Sequence, residues 1–275
     1  MSRWIPLLLL ALLSSPALAQ ERIASLNLCT DLLLLELVER ERIVSLTYWA
    51  ADPDLSYLAD QADGIAVNHS LAEEIVPLQP DLVLAGQFSD TQVVGILRRL
   101  GYPVEVLDVP LTLDGMHEHI LEFGRVVGEP ERAANLAQQI RSALELSTES
   151  IGGTPTEDPR PLAAVYGAQG VSPGKDTLLD DLLQLAGYRN LASEQGIVSY
   201  GTLSLEALVR AQPDVIVLDN IASNSDSMAH QALRHPVLQR ELHSRPVITL
   251  PPKWSVCVGP GVVQALNLLV DGRPG

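Results

Sequence analysis

Lysine is nearly missing from this chain of 275 residues: Lys175 and Lys253 are the only two, and the basic residues together number 18 against 34 acidic ones. The formal charge of −16 repels phosphate backbones and anionic lipid surfaces, so nucleic-acid binding and peripheral membrane attachment are disfavoured. Cysteine is scarce too. Two residues, Cys29 and Cys257, cannot staple a chain of this size, which has to fold around a core. Aromatic residues make up only 4%, but hydrophobic residues reach 47%, enough for one large domain or two smaller lobes. Past the N-terminus no run approaches the roughly 20 apolar residues that span a bilayer.

Residues 1–19 read as a cleavable export signal: Arg3, an apolar run from Ile5 to Leu13, then small residues at Ala17 and Ala19. The mature chain then begins at Gln20 as a soluble exported protein. From there, short apolar runs alternate with helical patterns. Arg22 to Leu26, Ile43 to Leu46, Leu82 to Ala85 and Val104 to Leu107 read as strands of an N-terminal lobe over 20–111. Residues 112–150 carry one long helical period, interrupted only by Gly128-Glu129-Pro130. Strands resume at Leu162 to Tyr166, Val215 to Leu218 and Val247 to Leu250, giving a C-terminal lobe over 151–275. The expected fold class is α/β, with two parallel, Rossmann-like lobes joined by a single long helix and a ligand cleft between them.

The lobes carry a repeat. Glu73-Glu74-Ile75-Val76-Pro77-Leu78-Gln79-Pro80-Asp81 aligns with Glu206-Ala207-Leu208-Val209-Arg210-Ala211-Gln212-Pro213-Asp214 at a constant offset of 133 residues. Each copy reads as a short helix stopped by proline, leading into a buried strand. With the export signal, the long helix and the Gly187-Tyr188-Arg189-Asn190 turn, this repeat resembles the substrate-binding proteins of ABC importers for iron complexes and cobalamin. The likeness covers essentially the whole mature chain. It implies a monomeric periplasmic receptor that performs no chemistry, needs no cofactor, and hands its ligand to a permease with ATPase subunits. It also implies that Glu73 and Glu206 dock onto permease arginines. Their placement agrees, since each opens a short helix, where the helix dipole tolerates negative charge.

Six of the eleven aromatic residues, Tyr48, Trp49, Phe88, Tyr166, Tyr200 and Trp254, fall in expected loops, mostly just after a strand, where open α/β sheets bind ligands. They would supply apolar contact area for a bulky chelate. Lys175 and Lys253 lie on loops of the same kind and offer cations for carboxylate, propionate or phosphate groups, although both also read as plain surface residues. Ferric siderophore, cobalamin and haem all suit this inventory. Cys29 and Cys257 sit on loops of opposite lobes, as a disulfide tying the lobes or as free thiols facing the cleft. Two further readings compete. One is a receptor for bare zinc or manganese, for which His69 is the least dismissible ligand and the His117-Glu118-His119 run a poor one. The other is an exported hydrolase, for which no nucleophile elbow is present.

Overall fold

The computed structural model describes residues 22–149, 160–219 and 235–274. The expected export signal lies outside the described residues.

Two all-parallel sheets carry the lobes. In the first, β1 (Ile23–Ser25), β2 (Ile43–Thr47), β3 (Val67–Asn68), β4 (Leu82–Gly86) and β5 (Val104–Leu107) stand in the order β3-β2-β1-β4-β5. In the second, β6 (Leu162–Tyr166), β8 (Arg189–Asn190), β10 (Val215–Asp219) and β11 (Val247–Leu250) stand in the order β11-β10-β6-β8. A separate small antiparallel pair forms from β7 (Val171–Pro173) and β9 (Tyr200–Thr202). All five residues of β4 are buried, as a strand covered by helices on both faces requires.

The 133-residue repeat is structural. Its helices, α3 (Ala72–Ile75) and α9 (Leu205–Ala211), precede β4 and β10. Gln79 and Gln212 leave them in the same left-handed conformation, with φ of 48° and 49°. Each aspartate then ties its strand to the first strand of its lobe. The Asp81 N–H donates to the Arg22 carbonyl at 2.9 Å while its carboxylate accepts the Arg22 N–H at 3.2 Å. Asp214 does the same with Leu162, at 2.8 and 2.7 Å.

The single long helix expected over 112–150 is instead a helical hairpin, α5 (Leu113–Val127) and α6 (Pro130–Glu149). Gly128 is left-handed at φ 78°, and the Glu129 N–H closes back onto the Gly124 carbonyl at 2.7 Å. This glycine C-cap, with Pro130 opening the next helix, outweighs the continuous apolar period. Each helix reaches both lobes. Asp181 on α7 (Leu178–Leu185) accepts the first N–H of α5 at 2.9 Å, and Arg42 donates to the Val127 carbonyl at its far end at 2.7 Å. On α6, Arg132 pairs with Glu39 at 2.8 Å and Ser147 donates to Asn267 at 2.7 Å. The main core runs without a break from Ile23 and Leu33 through Ile120, Phe123 and Ile140 to Leu182, Val217 and Leu266, so the hairpin fuses the inner layers of the two lobes.

Candidate ligand site between the lobes

Both sheets reverse their winding direction beside the first strand of the lobe, at β1/β4 and at β6/β10. Crevices form at the carboxyl ends of strands at such points. Here a cavity of about 500 Å3 opens between the lobes. From the first lobe it is walled by Asn27, Leu28 and Cys29 at the start of α1 (Leu28–Leu37), by Trp49 and Leu55 after β2, by Phe88 after β4, and by residues 109–111 after β5. From the second come Leu178 at the start of α7, Ser199 and Tyr200, and residues 255–258. Among the described residues no lysine or arginine lines it.

The wall is set from below. Asn27 caps α1, its side chain accepting the Cys29 N–H at 2.9 Å, and it lies so close to Gly86 that a Cβ there would stand 3.0 Å from it. One turn into α1, the fully buried Asp31 accepts the Thr47 N–H at 3.2 Å and the Thr47 hydroxyl, anchoring the strand end from which Tyr48 and Trp49 depart. Burial raises its carboxyl pKa to about 7 against the pull of these donors.

Cys29 and Cys257 form a disulfide with Cα atoms 5.3 Å apart, so both sulfurs belong to the cavity wall and to a link between lobes. Closing a loop of 228 residues, it stabilises the fold by about 5 kcal/mol in the chain-entropy picture. Two contacts reinforce it: Tyr57 stacks on Trp254 with ring centroids 5.7 Å apart, and the Lys253 ammonium donates to the Pro53 carbonyl at 3.2 Å.

Of the aromatic residues expected around the cleft, Trp49, Phe88 and Tyr200 line the cavity, and the last two stand at its lips with 76% and 58% of their surface exposed. Tyr48 stacks on His69 and tilts against Trp49 at 4.6 Å, bracing the wall from outside. Tyr166 and Trp254 correct the expectation. Tyr166 ends a central strand and is buried among Ala164, Leu203 and Leu208, while Trp254 packs against the main core and is engaged with Tyr57. Neither lysine lines the cavity. Lys175 is exposed where β7 hands over to α7, and Lys253 is spent on the interlobe contact. Sequence reasoning missed Asn27, Ser199, residues 109–111 and the neighbours of Cys257; Asn27 and 109–111 lie between a strand and a helix, whereas Ser199 directly precedes β9.

Glu73 and Glu206 are both exposed in the first turn of α3 and α9. The Glu206 carboxylate accepts its own backbone N–H and the Ser204 hydroxyl, which lowers its pKa. In the first lobe the neighbouring Glu74 plays that part, accepting the His69 N–H at 2.6 Å. The histidines are scattered. His69 pairs with Glu74, His117 with Arg141, and His235 caps a helix at Pro236–Ser244, while His230 lies outside the described residues. Among the described residues no three His, Cys, Asp or Glu side chains gather to hold a metal ion, so the bare-ion reading finds no centre there.

A family profile described as periplasmic binding protein matches residues 23–251, which is the first lobe, the hairpin and the second lobe through β11. The chain belongs to that family. A cobalamin-binding protein of Halobacterium salinarum is 26% identical over 210 residues, 76% of this chain and 56% of that one, so the chain spans little more than half of that relative. A vitamin B12-binding protein of Yersinia pestis is 25% identical over 265 residues, covering 95% of this chain and 89% of the relative. Among solved structures, an apo periplasmic heme-binding protein from Roseiflexus superposes with a TM-score of 0.73 at 23% identity, covering 92% of this chain and 99% of the other, a likeness of fold. Members of the periplasmic binding protein family share this two-lobed architecture, and among the described residues no helix is long and apolar enough to cross a membrane.

Proposed function

We propose that this protein is the periplasmic receptor of an ABC importer, monomeric and non-catalytic, and that it captures a corrinoid-type metal chelate between its lobes. One observation carries the choice of ligand: the cavity is walled by Trp49, Phe88, Tyr200 and aliphatic side chains, with Asn27, Ser199 and Ser255 as polar handles and, among the described residues, no cation. Haem brings two propionates, and catecholate siderophores bring net negative charge. Both would meet an acidic protein with no lysine or arginine among the described residues of the cavity wall. A corrinoid presents neutral amides and a broad apolar face, which hydroxyls, a carboxamide and aromatic rings accept at little desolvation cost. The names of the cobalamin-binding and vitamin B12-binding relatives support the same class.

Tryptophan fluorescence titration with cobalamin, haem, a ferric hydroxamate, a ferric catecholate and zinc tests this. Cobalamin should bind at least tenfold more tightly than the others, a difference of about 1.4 kcal/mol; preference for haem or a catecholate would refute the corrinoid reading. Glu73 and Glu206 are the proposed docking pair. Glu73→Arg with Glu206→Arg should leave cobalamin affinity unchanged and abolish uptake in a reconstituted importer, and normal uptake would remove the assignment.

A further inference from the structure

We infer that the Cys29–Cys257 disulfide is a thiol–disulfide exchange site in the ligand cavity, through which the redox state of the protein sets how long a chelate is held. The inference rests on the reading of this cavity as the ligand site. Away from the cavity the bond is packed by Leu32, Tyr57 and Leu58. A small thiol therefore reaches sulfur from the cavity side, where both cysteines contribute wall. Cys257 is 7% exposed and Cys29 more so, which makes the Cys29 sulfur the point of attack.

The exchange balances with a small dithiol as reductant. Its thiolate attacks the Cys29 sulfur, a mixed disulfide forms, and the bond to Cys257 breaks with Cys257 leaving as thiolate. The second thiol of the reductant then attacks its own sulfur in that mixed disulfide and expels Cys29. Two electrons pass to the protein, both cysteines end as thiols after protonation, and the reductant departs as a cyclic disulfide.

Breaking the bond leaves the Tyr57–Trp254 stack and the Lys253–Pro53 hydrogen bond on that side of the cleft, while the hairpin still joins the lobes through the core. Movement of 255–258 away from α1 would widen the cavity and weaken retention. Coupling is reciprocal: if reduction weakens binding, binding must disfavour reduction by the same factor. A bound chelate also blocks the route of attack, so occupancy should protect the disulfide kinetically as well.

The test uses oxidised protein, cobalamin and dithiothreitol. The half-time of reduction, read from the mass added by thiol alkylation, should lengthen on the order of tenfold at saturating cobalamin, and reduced protein should release cobalamin on the order of tenfold faster than oxidised protein. Cys29→Ser with Cys257→Ser should match the reduced form; if that variant fails to fold, reduction of the folded protein is the same test. Equal reduction rates with and without cobalamin, or equal release rates in both redox states, would overturn the inference. Hydrogen exchange on ligand-free protein separates this from the choice of ligand. Residues 28–34 and 254–258 should exchange faster after reduction. If cobalamin fails to bind the oxidised protein, the corrinoid reading falls, whereas unchanged exchange on reduction removes the clasp itself.

Discussion

Asp31 gives the fold a pH dependence whose size follows from its position. The carboxyl is fully buried beneath the first turn of α1 and its pKa rises from 3.8 to about 7, because lost hydration outweighs the hydrogen bonds from Ser25 and Thr47. The native state thus holds this proton more tightly than the unfolded chain does. The associated stability is fully present below about pH 4, is lost as pH rises through about 7, and changes no further above that. The displacement corresponds to about 4 kcal/mol at most. Urea denaturation of the wild type and of Asp31→Asn between pH 4 and 8.5 isolates it, because every other carboxylate titrates alike in both proteins. The asparagine variant, which cannot ionise, should gain on the wild type by about 3 to 4 kcal/mol between pH 4 and 7.5, and the difference should then level off. Parallel stability curves would show that Asp31 stays ionised in the fold and that the Thr47 donors outweigh its burial.

Gly124 sits where α5 meets α6, and a Cβ placed on it would stand 2.2 Å from the Ala133 Cβ. Gly124→Ala should cost about 1–3 kcal/mol in chemical denaturation, and adding Ala133→Gly should recover only part of it, because the Glu129 carbonyl still stands 2.9 Å from the new Cβ; a neutral Gly124→Ala would mean that the helices are further apart. Trp49→Ala, in the cavity wall, should weaken cobalamin binding on the order of tenfold or more in a calorimetric titration. Trp254→Ala should leave that affinity within about twofold while destabilising the fold by about 2 kcal/mol. The opposite ranking would return Trp254 to the site.

The sheets were legible because their strands are short apolar runs bounded by turn residues: Leu82 to Ala85 and Val247 to Leu250 fall within a residue of the observed β4 and β11. The Gln-Pro-Asp repeat was legible for a stronger reason, since its aspartates make the same backbone contacts in both lobes. The two-residue strands β3 and β8 carry no periodicity to detect. At the hairpin, the helical period continues unchanged across a turn that reverses the chain, so the pattern alone reads as one rod. Placement after a strand located Trp49, Phe88 and Tyr200 but could not separate them from Tyr166 and Trp254. Which way a loop side chain turns is decided by its neighbours, here Leu203 around Tyr166 and Tyr57 against Trp254, and these are distant in sequence.

The position of the glutamates follows from the same geometry as the cavity. In each lobe the repeat helix precedes its strand and runs back against it, which brings the helix start to the edge where the strands end. Glu73 and Glu206 occupy those starts, and the cavity occupies those strand ends. A chain that duplicates this unit therefore presents the cavity and two acidic side chains on one edge without any further device, and under the proposed function lobe motion is not needed to align them. The disulfide and the two helices of the hairpin, each fastened to both lobes, hold that alignment fixed. Large opening would have to break one of these links, so on the proposed reading a ligand has to be admitted by small movements at the lips of the cavity, where Phe88 and Tyr200 stand exposed.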